Sequence, residues 1–385
     1  MSTGATSKPN VVVIGGSYVG CRMVDLLAQQ VHETHNVVLI EKNTHFRHLF
    51  AFPRISVVPG FTEQSCIPYT NAFHAAPPNS TSFVHAVATK ILPDHVLLAN
   101  GDSVLYDYLV LATGTGSPGA LFSYTKPLVV DWFTALQKSV ENAHDIAVIG
   151  GGAFGVQLAL DIREYYPDKN VTLIHSRQQL MNRFHPELDR IATERLEKAQ
   201  VKILRGSRVK LPESGLYPND GSRFLVERQD GTTVEVDLAL LCNGNVMLSA
   251  PMESLSPSSI DPDTKEIIVK STMQIADDAY PHVFAVGDIA RTGAVKAARP
   301  ASVQAQIIAD NIQTLISGKE EQLREYVPDP PAIHLSLGLR DSVKFRNPAT
   351  PGGKPTIIFD QDGRLDMGCG RLWSMRAPGI TDYKL

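Results

Sequence analysis

Asn10-Val-Val-Val-Ile-Gly-Gly-Ser-Tyr-Val-Gly20 is the stretch that decides the fold. A run of apolar residues stops at Ile14, a glycine-rich turn follows, and the residues to about Gln30 carry apolar side chains at helical spacing. A second apolar run, Asn36-Val-Val-Leu-Ile, then ends in Glu41. Strand, turn, helix and strand make one βαβ unit. The pattern returns 135 positions later as Asp145-Ile-Ala-Val-Ile-Gly-Gly-Gly-Ala-Phe-Gly155, followed by a helix from Val156 to about Tyr165 and a strand from Val171 to Ile174. Two such units predict an α/β protein with two Rossmann-like dinucleotide-binding domains.

Each position of the first turn has its own task. Gly15 lets the chain leave the strand sharply, and Gly20 lets the helix approach the sheet closely. Ser17 stands where a glycine usually admits a pyrophosphate; it is small, and its hydroxyl can donate to a phosphate. Gly15, Gly16, Ser17 and Gly20 are therefore candidate cofactor-binding residues, backed by the positive end of the helix dipole from about Tyr18. Glu41, 21 residues beyond Gly20, is placed to accept ribose hydroxyls.

The second turn keeps all three glycines, Gly150, Gly152 and Gly155, but its second strand runs into His175-Ser-Arg177 in place of an acid. A carboxylate there would repel a 2′-phosphate, whereas an arginine pairs with one. Arg177 reads either as a partner of that phosphate, giving use of both NADH and NADPH or preference for NADPH, or as a solvated surface charge. Two further apolar strands end in turns, Tyr108 to Gly114 and Val283 to Asp288. Gly287 permits close backbone approach, Asp288 is placed to bond a ribityl hydroxyl of a flavin, and the helix after it is expected to aim its N-terminus at the flavin ring.

The rest of the chain is quieter. Segments 81–100 and 223–237 alternate apolar and polar residues as short strands do, whereas 211–222 and 251–262 read as polar loops. A helix is expected from about Pro300 to Ile316, a proline-rich linker at 326–331, and a strand-like C-terminal segment from His334 with turns at Pro351-Gly-Gly353 and Asp362-Gly363. Thirty-six basic against forty acidic side chains give a formal charge of −4, which removes the electrostatic footprint of a nucleic-acid binder. No apolar run reaches membrane-spanning length, the first ten residues lack a signal-peptide core, and Ser2 stands where N-myristoylation requires glycine. A cytoplasmic protein without stable membrane insertion is expected, peripheral association staying open. Cys21, Cys66, Cys242 and Cys369 form no Cys-x-x-Cys pair, so neither a metal site nor a dithiol centre is expected.

With these motifs the chain resembles two-dinucleotide-fold flavoproteins of the pyridine nucleotide–disulfide oxidoreductase superfamily, of glutathione-reductase-like fold. More narrowly it is similar to the apoptosis-inducing-factor-like group that includes the ferroptosis suppressors, with type II NADH dehydrogenases as cousins. The similarity runs from about Val11 to Arg346 and is carried by Glu41-Lys-Asn-x-x-Phe46 with the loop to Arg54, by 108–114, 146–176 and 283–288, by Lys296, and by Leu335-Ser-Leu-Gly338. It implies an FAD-binding domain in two parts, 1–122 and 251–326, an NAD(P)H-binding domain at 123–250, and a small C-terminal α+β segment at 327–385. It also implies that Lys42 joins Glu41 at the FAD adenosine, that Arg54 lies near the FAD, and that Ala112, Thr113 and Gly114 lie beside its pyrophosphate.

The resemblance places Lys296 next to the flavin ring, the plainer alternative being a solvated lysine at a helix start. Gln304 and Gln306 resemble glutamines on the quinone side of the type II dehydrogenases. Gln157 replaces a glutamate that relatives carry near the nicotinamide–flavin contact, keeping its size and losing its charge. Lys296, Gln157 and Gln304 are thus the candidate catalytic residues. The implied activity is transfer of hydride from NADH or NADPH to FAD and of electrons onward to a quinone-like acceptor. A tailoring oxidoreductase for a small metabolite, or a slow redox-sensing flavoprotein, are the alternatives.

Overall fold

In the computed structural model the described residues are 8–116, 124–242, 246–361 and 363–385. Ser2, the boundary at 122/123 and Asp362 of the expected 362–363 turn lie outside them. In chain order the main elements begin with β1 (Asn10–Ile14), α1 (Tyr18–Val31), β2 (Asn36–Glu41), β3 (Thr81–His85) and β4 (Tyr108–Leu111). The second unit follows as α2 (Lys126–Asn142), β5 (Asp145–Ile149), α3 (Ala153–Tyr165), β6 (Asn170–Ile174), α4 (Pro186–Lys198), β7 (Lys202–Leu204), β8 (Phe224–Glu227), β9 (Thr233–Val236) and β10 (Leu238–Leu241). The chain ends with β11 (Val283–Ala285), α5 (Ala298–Ile316), β12 (Ala332–Ser336), β13 (Asp341–Arg346), β14 (Thr356–Gln361) and α6 (Cys369–Arg376).

Two parallel sheets organise the molecule. The first has the order β11-β4-β1-β2-β3 and the second β7-β6-β5-β10. Strands β1, β2, β4, β5 and β11 are buried on both faces, which is why they read as unbroken apolar runs, whereas the edge strand β3 is largely exposed and alternates. The registers repeat: Ile14 lies between Ile40 and Leu111, and Ile149 between Ile174 and Leu241. Both glycine turns therefore leave the central strand at the same height, at the carboxyl ends where strand order reverses and open α/β sheets bind ligands.

The chain passes between the units at Thr115–Gly116 and again at Val246–Met247, and the two passages pair antiparallel. After the second passage, β11 rejoins the first sheet beside β4. Strands β12, β13 and β14 form an antiparallel sheet whose Leu335, Val343 and Phe345 belong to the core of the second unit.

One expectation needs correction. The C-terminal segment is not strand-like throughout, because it ends in α6. That helix buries only Cys369 and Trp373, one turn apart, too few apolar positions to show a helical period. After β11, residues 287–289 form a tight 3₁₀ turn, and the helix expected from about Pro300 is α5, which starts at Ala298.

Candidate active site

The two glycine turns are built to one plan. Gly15 N–H donates to Ile40 O and Gly150 N–H to Ile174 O, at 2.8 and 2.9 Å. Both residues have positive φ (104° and 130°), and a Cβ would lie 2.5 Å from Ala112 O in one and 2.7 Å from Cys242 O in the other. A Cβ on Gly20 or Gly155 would run into the carbonyl of the turn's first glycine, at 1.7 or 1.8 Å. These four positions exclude every side chain. Gly152 does not: its φ is −86°, and nothing lies within 4 Å of the place a Cβ would take.

The second residue of each turn, Gly16 and Gly151, is held from the end of the neighbouring strand. Gly16 N–H donates to Glu41 Oε2, while Gly16 O accepts from Tyr69 Oη at 2.7 Å and from Cys21 Sγ at 3.0 Å. In the second turn Gly151 N–H donates to His175 Nδ1 at 3.1 Å, and the opposite ring nitrogen of His175 donates to Gln179 O at 3.1 Å. Burial, with Arg177 and Arg205 nearby, lowers the His175 pKa and keeps the ring neutral, as an accepting Nδ1 requires. His175 thus braces the second turn as Glu41 braces the first.

One cavity of about 1210 Å³ opens beside the first turn. Its walls include Gly15, Gly16, Ser17, Glu41, Lys42, Asn43, Ala112, Thr113 and Asp288 from the first unit. Strand β10, which lies at the edge of its sheet, supplies a wall from the second unit, with Phe154 and Leu158 one turn apart on α3 and Trp132 and Leu136 on α2. Ser17 caps α1 without using its side chain on the helix, so its hydroxyl is available to a ligand.

Two buried oxygens in these walls, Thr113 Oγ1 and Asn43 Oδ1, have no hydrogen-bond partner among the described residues. Leaving such groups unpaired costs roughly 1–3 kcal/mol each, which the hydroxyls and phosphates of a dinucleotide would offset. Desolvation raises the Asp288 pKa, with the Lys296 and Arg183 charges opposing. The residues present fit a flavin dinucleotide.

A family model described as pyridine nucleotide-disulphide oxidoreductase matches residues 9–305. The chain belongs to this family. Among relatives, Fe-regulated protein 8 of Mycosarcoma maydis is 33% identical over 408 residues, covering 99% of this chain and 98% of that protein. Ferroptosis suppressor protein 1 of Taeniopygia guttata is 30% identical over 343 residues, covering 86% and 87%. Among solved structures, the sulfide:quinone oxidoreductase of Aquifex aeolicus superposes with a TM-score of 0.75 at 19% identity, covering 96% of this chain and 91% of that one. The resemblance to the apoptosis-inducing-factor-like and ferroptosis-suppressor-like oxidoreductases holds, as does the reading of two Rossmann-like domains.

Several residues expected at the site of this pyridine nucleotide–disulphide oxidoreductase serve elsewhere. Arg54 is not a wall of the cavity. It is buried, and its Nε donates to Asp161 Oδ2 at 2.9 Å while its terminal nitrogens donate to Gly338 O, Leu339 O and Ser336 Oγ. Gln157, also buried, donates its amide to Asp161 and Met367 Sδ and is not among the cavity walls. Gln304 Oε1 accepts the Gly287 N–H at 3.0 Å and its Nε2 donates to Thr292, so it fixes the Gly287–Asp288 turn rather than meeting an acceptor. Gln306 donates to Asp310 on its own helix.

Lys296 is not a solvated lysine at a helix start, since it lies before α5 and its ammonium is largely covered. Its Nζ pairs with Glu266 at 2.5 Å and donates to Asp288 O, clamping the same turn from the other side. Arg177 is exposed and donates to Asn182 Oδ1 at 3.2 Å. Gly114, at φ 60°, follows the cavity wall without being part of it.

The four cysteines are free. Burial pushes the Cys21, Cys242 and Cys369 thiols up to about 12, far from the thiolate state. Among the described residues, no group of side chains could hold a metal ion and no helix is long and apolar enough to cross a membrane. Sequence reasoning missed Trp132, Leu136, Phe154, Leu158 and the loop residues Leu216–Asn219, all of which line the cavity. The one available signal was the apolar pair Leu216-Tyr217 inside an otherwise polar loop.

Proposed function

We propose that the chain is an FAD-dependent NAD(P)H oxidoreductase that delivers electrons to a quinone or similar small acceptor. The observation that carries this reading is the cavity that joins the first glycine turn, with its unpartnered Thr113 and Asn43 oxygens, to the walls of the second unit. Gly15, Ser17 and the start of α1 would hold the FAD pyrophosphate, Glu41 and Asn43 the adenosine side, and Asp288 the ribityl chain. Gly150, Gly152 and α3 would hold the pyrophosphate of the nicotinamide nucleotide. When bound, the flavin supplies hydride acceptance and onward electron transfer. The protein supplies placement, and the apolar wall formed by Phe154, Leu158, Trp132 and Leu136 excludes water from the reacting region. Support for a quinone acceptor comes from the likeness to the sulfide:quinone oxidoreductase of Aquifex aeolicus.

The deciding experiment is an acceptor screen on the purified yellow protein, with NADH and NADPH in parallel. Rapid oxidation of either coenzyme with added quinones is the expected result. Slow turnover with every acceptor would instead favour a redox-sensing role, a reading supported by the uncharged Gln157.

Asp288→Ala should weaken FAD binding by roughly 1.5–3 kcal/mol through loss of a charge-assisted hydrogen bond. Titration of the apoprotein measures this, and an unchanged affinity would leave Asp288 a turn residue only. Arg177→Glu should move preference from NADPH toward NADH, because the new carboxylate repels a 2′-phosphate. The ratio of kcat/KM for the two coenzymes reports the change, and an unaltered ratio would mark Arg177 as a plain surface charge.

A further inference from the structure

Loop 211–222 belongs to neither glycine turn, yet four of its successive residues, Leu216, Tyr217, Pro218 and Asn219, line the cavity that also contains Gly15 and Glu41. It leaves the second unit after Val209, which is bridged to Arg228, and returns at β8. Its tip is preformed. The Tyr217 ring stacks on Phe224, with centroids 5.4 Å apart and planes within 18°, and packs on the apolar layer that includes Ala239 and Leu241. The Tyr217 hydroxyl donates to Lys210 O at 3.1 Å. Gly215 turns the chain at φ 72°, and its N–H donates to Pro212 O at 2.8 Å. With Tyr217 fixed inward, Leu216 is left 60% exposed at the cavity wall. A leucine held in that position offers apolar area that the described residues do not cover.

We infer that Leu216–Asn219 bind the cofactor: they form a strap from the second unit that closes over the dinucleotide held by the first glycine turn. This rests on the flavin reading proposed above. Leu216 and Pro218 would cover apolar surface of the FAD, and the Asn219 amide offers both a donor and an acceptor to its polar edge. Release of FAD then requires the strap to lift, so residues of the nicotinamide unit govern how long the flavin stays bound. Affinity for NAD(P)H, cradled at Gly152, is not governed by them.

The test is the dissociation rate of FAD from the holoprotein, followed by the fluorescence gained on release. It compares wild type with Leu216→Ser, Asn219→Ala and a chain in which 213–219 is replaced by Gly-Ser-Gly. The control is Leu225→Ser, an equally exposed leucine on β8 that does not line the cavity. About tenfold faster loss is expected for Leu216→Ser and for the replaced loop, the low end of what removing one buried leucine contact gives, with no change in the control or in the Kd for NAD(P)H. Rates equal to wild type, an equal loss in the control, or a weakened NAD(P)H Kd with FAD unaffected would each overturn the strap. A wild-type chain that takes up no FAD would overturn the flavin reading and the strap with it, whereas FAD bound with a rate independent of the loop would overturn the strap alone.

Discussion

Gly152→Trp is expected to abolish reduction by NADH and NADPH while leaving the FAD in place. Gly152 is the one glycine of the second fingerprint whose backbone accepts a side chain, with an ordinary φ and open space where a Cβ would stand. The fold should therefore tolerate the substitution. The indole would occupy the approach to the first amides of α3, where the coenzyme's pyrophosphate must come. A drop in kcat/KM of at least about 100-fold, ~2.7 kcal/mol, is expected at unchanged flavin content. Gly155→Ala is the informative contrast: its methyl would overlap Gly150 O, so it should lower stability and solubility rather than coenzyme use alone. Loss of FAD from Gly152→Trp with normal reduction of what remains would mean that the two cradles are assigned the wrong way round.

The second large effect concerns stability. Arg54 and Asp161 are both fully buried, and Asp161 Oδ1, the oxygen that Arg54 does not bond, has no hydrogen-bond partner among the described residues. Arg54→Met leaves a carboxylate in the interior without its counter-ion, which should cost about 3–5 kcal/mol. Arg54→Met with Asp161→Leu should recover the part due to the unpaired charge, leaving the cost of the Gly338 and Leu339 carbonyls that have lost their donor. Denaturant midpoints of the three proteins at pH 7.5 measure this, and a double variant no better than the single one would refute it.

The pH dependence has a definite sign. Burial outweighs Arg54 and pushes the Asp161 carboxyl up to about 6, above its ordinary value of 3.8. A group whose folded-state pKa is raised contributes stability that is fully present below about pH 4 and lost as the pH rises through 6. Without Arg54 the pKa rises further, so the deficit of Arg54→Met should shrink as the pH falls from 7.5 toward 5.5.

How much of this was legible in the sequence depends on how local each feature is. The glycine turns, Glu41 and the Gly287–Asp288 turn are spelled out within a few residues of one another, and the parallel strands announce themselves as apolar runs. Arg54 and Asp161 meet across 107 positions, and nothing near either residue tells of the other. Lys296 and Gln304 were read from a resemblance to sites in other chains, whereas here their hydrogen bonds are spent on the turn that presents Asp288. Helix α6 escaped because it buries only two apolar side chains. The cavity walls from Trp132 to Leu158 are ordinary amphipathic helix positions, distinguishable from core only once the second unit stands beside the first.

The two chain passages between the units are hydrogen-bonded to each other, Thr115 opposite Met247 and Gly116 opposite Val246. Mechanically that is a hinge with a single pin. Through other elements, Arg54 reaches from the first unit to Asp161 of the second and to the carbonyls of Gly338 and Leu339 in the C-terminal segment, and acts as a hasp. A door fastened along its hinge and again at a hasp does not swing. Coenzyme should therefore enter and leave by local movement at the surface, not by opening of the whole molecule. Distances between fluorophores placed on the two units should stay constant when NADH is added, and a change of several ångströms would show that the hasp opens in each cycle.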